Sequence, residues 1–315
     1  MRILILTDRL SSQASLDSKD TQLQVNQVRQ ALRSLGHEVS VAYFSMNLAI
    51  AGRSIERSGC DKVFNLVENL NSASLLCLPP LLCQSLGVAC CGGSARTLLL
   101  TAQKPGAKRL LVSANLPTPR WVEQRDVFDQ RWYLGIPLIL KPIDQEASLG
   151  IDESSVRVFA SQEELATALA DGHLFGEEYI EGREFSISVL PGGEVLPVAE
   201  LCFVDYPSDR IKVAGYEAKW EVDSFAYQHT QRRFAFPNED SDLIGTLGEL
   251  ALKTYRLFGS SGPARVDVRV DGNNRPFILE MNSNPCLERE SGYAAAALQA
   301  GISYEQLIER LVEEV

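Results

Sequence analysis

The chain has 315 residues, 45% hydrophobic and 23% charged, enough to bury a substantial core spread over two or three domains or subdomains. With 41 acids against 30 bases its formal charge is −11, which argues against a general nucleic-acid or anionic-membrane binder but allows a local basic cleft. The apolar opening "RILILT" is too short for the hydrophobic region of a signal peptide, and no run approaches the length that spans a bilayer.

"RILILT" and "EVSVAYF" predict strands around a helix near Thr21 to Leu35, in which Val28, Leu32 and Leu35 form an apolar stripe and Gly36 marks the end. "DKVFNLV" predicts a third strand, and Pro79-Pro80 opens or interrupts another helical stretch. This alternation points to a parallel α/β sheet. The pattern changes past Gly92-Gly93. A helical stretch carries Lys104 and Lys108, "LPTPRWVEQ" and "PLILKP" read as strands, and "SQEELATALA" reads as a helix with Ser161 and Glu164 as a capping box. "LFGEEYI" is strand-like, and "REFSISVL" with "EVLPVAELCF" forms a hairpin about "PGG". Residues 205 to 236 look irregular, aromatic and charged, the profile of a functional loop. A helix near residues 240 to 258, a second hairpin and a terminal helix capped by Ser303 and Gln306 complete the chain. No pair of the seven cysteines has CxxC spacing. Six of them sit in apolar context, which suits buried thiols in a reducing cytoplasm, the expected compartment.

The second hairpin carries the densest chemistry. In "ARVDVRVD" Arg265, Asp267 and Arg269 share one face, with Val266, Val268 and Val270 on the other; "DGNNR" is a turn signal. In "PFILEMNSNP" Glu280 and Asn282 look the same way, with Ile278 before them and Phe277 and Leu279 opposite. Paired, the two strands would bring Asp267, Glu280, Asn282 and Arg265 together as a metal-and-phosphate constellation, the competing reading being a surface salt-bridge ladder. Lys141, at the end of "PLILKP", precedes a small-residue loop reaching Gly150, which suits a triphosphate or, equally simply, a polar turn. Of the acids Glu177, Glu178, Glu181 and Glu184, the first and last flank a glycine turn. They could accept from an adenine amine and a ribose, or lie on a solvated edge.

The order of these segments is more specific than any one of them. A helix lysine, "LPTP", "LILKP" with its loop, "EEYIEGREFSISVL", "YEAKW", "ARVDVRVD" and "ILEMNSNP" together resemble the ATP-grasp superfamily, in its D-alanine–D-alanine ligase branch, from about residue 60 onward. The resemblance implies an α/β fold: an N-terminal parallel domain (1–95), then a central (96–185) and a C-terminal (186–315) subdomain, both α+β, sandwiching ATP. It implies Lys104 and Lys141 at the nucleotide phosphates, and a closing loop from Glu146 to Gly150 in which Ser148 and Gly150 contact them. Glu177 would take the adenine amine, with Glu178 and Ile180 beside the base, and Glu184 the ribose. Lys219 would reach the γ-phosphate. Asp267, Glu280 and Asn282 would hold two magnesium ions, or manganese in their place, and Arg265 would stabilise an oxyanion. Ser148, Lys219 and Arg265 would thus be catalytic. The implied reaction activates a carboxylate as an acyl phosphate, releasing ADP, and an amine then displaces phosphate.

Departures from the branch cluster where amino acids would bind. Ala147 and Trp220 replace a loop serine and a tyrosine, "TDRLSSQASLDSKD" offers no clear glutamate, and Glu146 stands for a glycine. Pro285-Cys286-Leu287 replaces Pro-Gly-Met, Ser291 matches a serine at the second substrate, and Glu288, Arg289 and Glu290 add charge. These residues lead to the expectation of a carboxylate–amine ligase acting on amino-acid-type substrates other than D-alanine, in specialised metabolism, with Glu146, Trp220, Arg265, Cys286 and Ser291 at the substrates. The alternative is the cell-wall D-alanine–D-alanine ligase. A reading of another class is an inactive nucleotide-binding regulatory protein, against which the intact metal set speaks. Partners would be small carboxylates and amines, with no nucleic acid or membrane; a homodimer is compatible with the resemblance.

Overall fold

The computed structural model describes residues 1–9, 16–70, 72–145 and 150–313. Strand β1 (Arg2–Thr7) pairs in parallel with β2 (Glu38–Tyr43) and β3 (Lys62–Leu66), and β3 with β4 (Ala89–Cys91), in the order β2-β1-β3-β4. Parallel neighbours need long crossovers, supplied by α1 (Leu16–Ser34), α2 (Leu48–Ser58) and α3 (Leu78–Ser85). Alternate residues of β1 feed opposite faces. Ile3 and Ile5 pack with Val25, Val28 and Leu32 of α1, whereas Leu4 and Leu6 pack with Ala51, Ile55 and Cys83.

Helices α4 (Ala95–Ala102) and α5 (Lys104–Ser113) lead into an antiparallel sheet of β5 (Trp121–Val122), β6 (Pro137–Pro142), β7 (Val156–Val158) and β8 (Leu174–Glu178), ordered β5-β8-β6-β7. Only Trp121 and Val122 of "LPTPRWVEQ" join it, since Pro117 and Pro119 have no N–H to give a ladder. In α6 (Gln162–Ala168) the Ser161 hydroxyl accepts from Glu164 N as expected, but the Glu164 carboxylate takes the N–H of Ala160 rather than that of the cap.

A five-stranded antiparallel sheet, β11-β10-β9-β12-β13, follows from β9 (Gly182–Val189), β10 (Ala199–Phe203), β11 (Thr230–Arg233), β12 (Ala264–Asp271) and β13 (Pro276–Asn282). Residues 205 to 236 are more ordered than their sequence suggested, holding α7 (Tyr216–Trp220), α8 (Phe225–His229) and β11. Their aromatic residues organise them: Tyr206 packs 5.2 Å from both Phe203 and Phe225, with the Arg210 guanidinium over the last two rings of that cluster, Tyr206 and Phe225. Helix α9 (Ser241–Leu257) covers one face of the sheet, burying Leu247 and Ala251 against Val266, Val268, Ile278 and Met281.

The β12–β13 register breaks from simple alternation. Asp267 opposes Glu280, but Val268 opposes Ile278, so Leu279 is an extra residue in a bulge. Ile278 therefore joins the core, while Leu279 and Glu280 both reach the opposite side; strict alternation had put Ile278 on the Glu280 face. Helices α10 (Gly292–Gln299) and α11 (Tyr304–Glu313) return to the first sheet, where Tyr293, Leu307 and Leu311 join Ile3 and Ile5. The sequence signalled α11, whose Ser303 and Gln306 cap each other reciprocally, but not α10.

Gly182 opens β9 with a φ of +148°, and a Cβ there would sit 2.0 Å from the carbonyl oxygen of Val270. Gly182→Ala is expected to lower unfolding stability by roughly 3 kcal/mol. Urea denaturation measures it, and an unchanged midpoint would contradict this close approach.

Candidate active site

Across the β12–β13 ladder Arg265 opposes Asn282 and Asp267 opposes Glu280, so the hairpin alone assembles two carboxylates, an amide and a guanidinium. Asp267 accepts from Arg265 through both oxygens, at 2.8 and 2.7 Å, and from the Ser186 hydroxyl at 2.7 Å. Glu280 lies 3.3 Å from the Lys104 ammonium, which also donates to the Gln145 carbonyl at 2.6 Å. Burial by itself would raise the Glu280 pKa. The combined field of Lys104, Lys141, Lys219 and Arg265 outweighs it and pulls the group down to about 2. Asn282 turns its amide oxygen to the N–H of Asn284 at 2.8 Å, which leaves that oxygen a second lone pair.

Lys219 arrives from α7. That helix abuts the chain at Ile151, where Tyr216 N donates to the Ile151 oxygen at 3.0 Å; a Cβ on Gly215 would stand 2.3 Å from the same oxygen. Burial pushes the Lys219 ammonium pKa down, Arg265 adds to this, and Asp267 and Glu280 oppose it.

Two cavities meet at these groups. The first, about 80 Å³, is lined by Lys104, Lys141, Glu177, Glu178, Ile180 and Glu184, among others. The second, about 330 Å³, takes in Glu68, Trp220, Arg265, Asn282 and Cys286. Lys219 and Glu280 line both. In the first cavity the acids are already engaged. Glu177, 1% exposed, has Lys141 at 2.5 Å on one oxygen and Lys108 at 2.6 Å on the other. Arg269, also buried, places two donors on one Glu184 oxygen and bonds the carbonyls of Ile180 and Lys212. Glu178 pairs with Arg120 at the rim.

Other expected residues fall differently. Glu146 and Ser148 lie outside the described residues. Gly150 is exposed, with a φ of +70°, and is not among the residues that line either cavity. Ser291 caps α10, accepting from Ala294 N, and Cys286 accepts from Glu288 N. Two of the charged residues after β13 turn to neighbouring helices: Glu288 takes Gln27, and Arg289 pairs with Glu305. Neither lines the second cavity, so their charge does not bear directly on a ligand there.

One residue escaped the sequence reading. Glu68, in "VFNLVENL", lines the second cavity and is aimed by Thr21 at 3.1 Å and Gln24 at 2.7 Å; its own N–H is held by Asp8. It follows β3, and in parallel α/β sheets ligands gather beyond the carboxyl ends of strands, a signal that could have found it.

Among the described residues no group of three His, Cys, Asp or Glu side chains is placed for a metal ion. The donor set here is instead two carboxylates and an amide oxygen, hard ligands with Glu280 held ionised, and it suits magnesium or manganese completed by water and phosphate oxygens.

A family model described as "D-ala D-ala ligase C-terminus" matches residues 114–313. The chain belongs to the D-alanine–D-alanine ligase family. D-alanine–D-alanine ligase B of Xanthomonas campestris pv. campestris is 31% identical over 265 residues, covering 81% of this chain and 78% of that protein. A D-alanine–D-alanine ligase of Synechococcus sp. is 29% identical over 293 residues, covering 91% and 85%. The crystal structure of the Bacillus anthracis D-alanine–D-alanine ligase complexed with ATP superposes over 100% of this chain and 97% of its own, with a TM-score of 0.75 at 19% identity, which shows the shared ATP-grasp fold. The chain is therefore an ATP-grasp, ADP-forming acid–amino acid ligase with ATP and magnesium as cofactors, as the segment order implied. On substrate, these relatives bear the name that the sequence reading placed second. Among the described residues no helix is long and apolar enough to cross a membrane.

The Glu280 shift has a direct consequence for this D-alanine–D-alanine ligase relative. A carboxylate whose folded pKa falls from 4.5 to about 2 stabilises the fold above pH 4.5 and loses that contribution as pH drops toward 2. The stability advantage of the wild type over Glu280→Gln, from urea unfolding at a series of pH values, should shrink across that window. A constant difference would contradict the ion-paired state.

Proposed function

We propose that this ligase joins two D-alanine molecules, one activated as an acyl phosphate by ATP and the other attacking through its amine. The observation that carries the reading is the wall shared by the two cavities, where Lys219 and Glu280 face both. In this reading the small cavity holds the nucleotide: Lys104, Lys141 and Lys219 meet phosphate oxygens, Glu184 the ribose, and Glu177, Glu178 and Ile180 the base. Ser148 and Gly150 would close on the phosphates. Asp267, Glu280 and Asn282 would hold magnesium, which would supply neutralisation of charge on the transferred phosphoryl group. Arg265 turns part of its guanidinium from Asp267 to the oxyanion that develops at the acyl carbon. Cys286 would border the amino acids and Glu68 would receive an ammonium group, while Ser291 and Glu146 are expected near them on the family resemblance alone. Three units, 1–95, 96–185 and 186–315, each contribute one sheet to this arrangement.

A second reading rests on Trp220, which lines the large cavity where the family resemblance implies a tyrosine. It favours a first amino acid bulkier or more cationic than alanine, which could pack on that ring.

Phosphate release with D-alanine alone, compared with a panel of L- and D-amino acids including basic and aromatic ones, separates the readings. The first expects D-alanine to give the highest kcat/KM; a basic or aromatic amino acid in that place would replace it with the second. In either case Glu280→Gln should lower kcat at least about a hundredfold, and chelation of magnesium should abolish turnover until magnesium or manganese is returned. Full activity of the variant would remove the metal assignment.

A further inference from the structure

Lys108 stands four residues after Lys104 on α5, one helical turn away and on the same face. It is 1% exposed and lines neither cavity. Its ammonium pairs with Glu177 at 2.6 Å and donates to the Thr118 hydroxyl at 2.7 Å and the Pro119 carbonyl at 3.3 Å. The Trp121 ring lies 5.8 Å away, over the same ammonium. Thr118 in turn donates to the carbonyl of Ile278 at 2.8 Å, on the strand that carries Glu280. A charged group buried this thoroughly is costly to keep unless its charge is used.

We propose that Lys108 is a positioning residue for ATP, acting on Lys141 through the carboxylate they share. The proposal rests on the reading of the small cavity as the nucleotide site. Glu177 binds Lys141 through one oxygen and Lys108 through the other, so the three groups carry one net positive charge. Lys141 borders the cavity and Lys108 backs it. With Lys108 in place, Lys141 can turn its ammonium toward an anionic phosphate without leaving Glu177 as a bare buried anion. Without Lys108, Glu177 would cancel the Lys141 charge and hold it away from the ligand. Burial presses the Lys108 pKa down to about 8 and the neighbouring Lys141 adds to this, against the attraction of Glu177.

The test is the KM for MgATP and the kcat of Lys108→Met, of Lys108→Met/Glu177→Gln and of Lys141→Met, alongside urea unfolding of each. Lys108→Met should raise the ATP KM by about tenfold or more while kcat changes far less, and the added Glu177→Gln should recover part of that loss by releasing Lys141. A merely structural lysine would lower stability and leave KM where it was, and that result overturns the proposal. Should Lys108→Met fail to fold, Thr118→Val removes an acceptor that aims the ammonium while keeping every charge. It should raise the ATP KM about threefold at unchanged kcat, and an unchanged KM again overturns the proposal. Lys141→Met distinguishes the two levels of failure. If it raises the KM and Lys108→Met does not, only the positioning role falls; if neither does, the nucleotide site falls with it.

Discussion

Two carboxylates facing each other across a strand pair repel, and the whole site depends on how that repulsion is offset. Asp267 and Glu280 are neighbours in the β12–β13 ladder, and the charges that hold the Glu280 pKa down come from four separate places: Lys104 at the start of α5, Lys141 at the end of β6, Lys219 on α7 and Arg265 on β12. The fold is in effect a way of delivering those cations to one hairpin. The same surplus of positive charge suits polyphosphate and a divalent ion, which would arrive with charges of both signs.

Each delivery has its own local device. The bulge at Leu279 lets β13 bury Ile278 while still presenting Glu280 to the cleft. Gly215 lets α7 touch the chain at Ile151, which aims Lys219 at the boundary between the cavities. Arg269 ties Glu184 to the segment ahead of α7 through the carbonyl of Lys212, so two parts of the small cavity's lining share a single buried guanidinium. The family membership and the ATP-grasp likeness fit this arrangement of charge.

The regular parts of the fold were legible because they rest on local patterns. The continuous apolar run of β1, the period-two runs of β9 and β12, the proline opening of α3 and the reciprocal cap of α11 are each written within about ten residues. The segment from 205 to 236 was less legible. Its order comes from rings of Phe203, Tyr206 and Phe225 closing on each other and on Arg210, contacts that no periodicity announces. Glu68 was missed for a similar reason: its neighbours Thr21 and Gln24 lie more than forty residues earlier.

By itself the sequence determined the family and the hairpin that carries Arg265, Asp267, Glu280 and Asn282, because residue types spaced along strands and in a set order carry that information directly. Tertiary structure alone decided how those charges are spent. Only the packing of α5 behind β8 and β6 gives Glu177 two lysines, only the strand register with its bulge opposes Asp267 to Glu280, and only the return of α10 and α11 to the first sheet turns Arg289 and Glu288 away from the large cavity. Coulomb interactions between buried groups depend on distance in space and on how fully water is excluded, and neither quantity is encoded in the separation of residues along the chain.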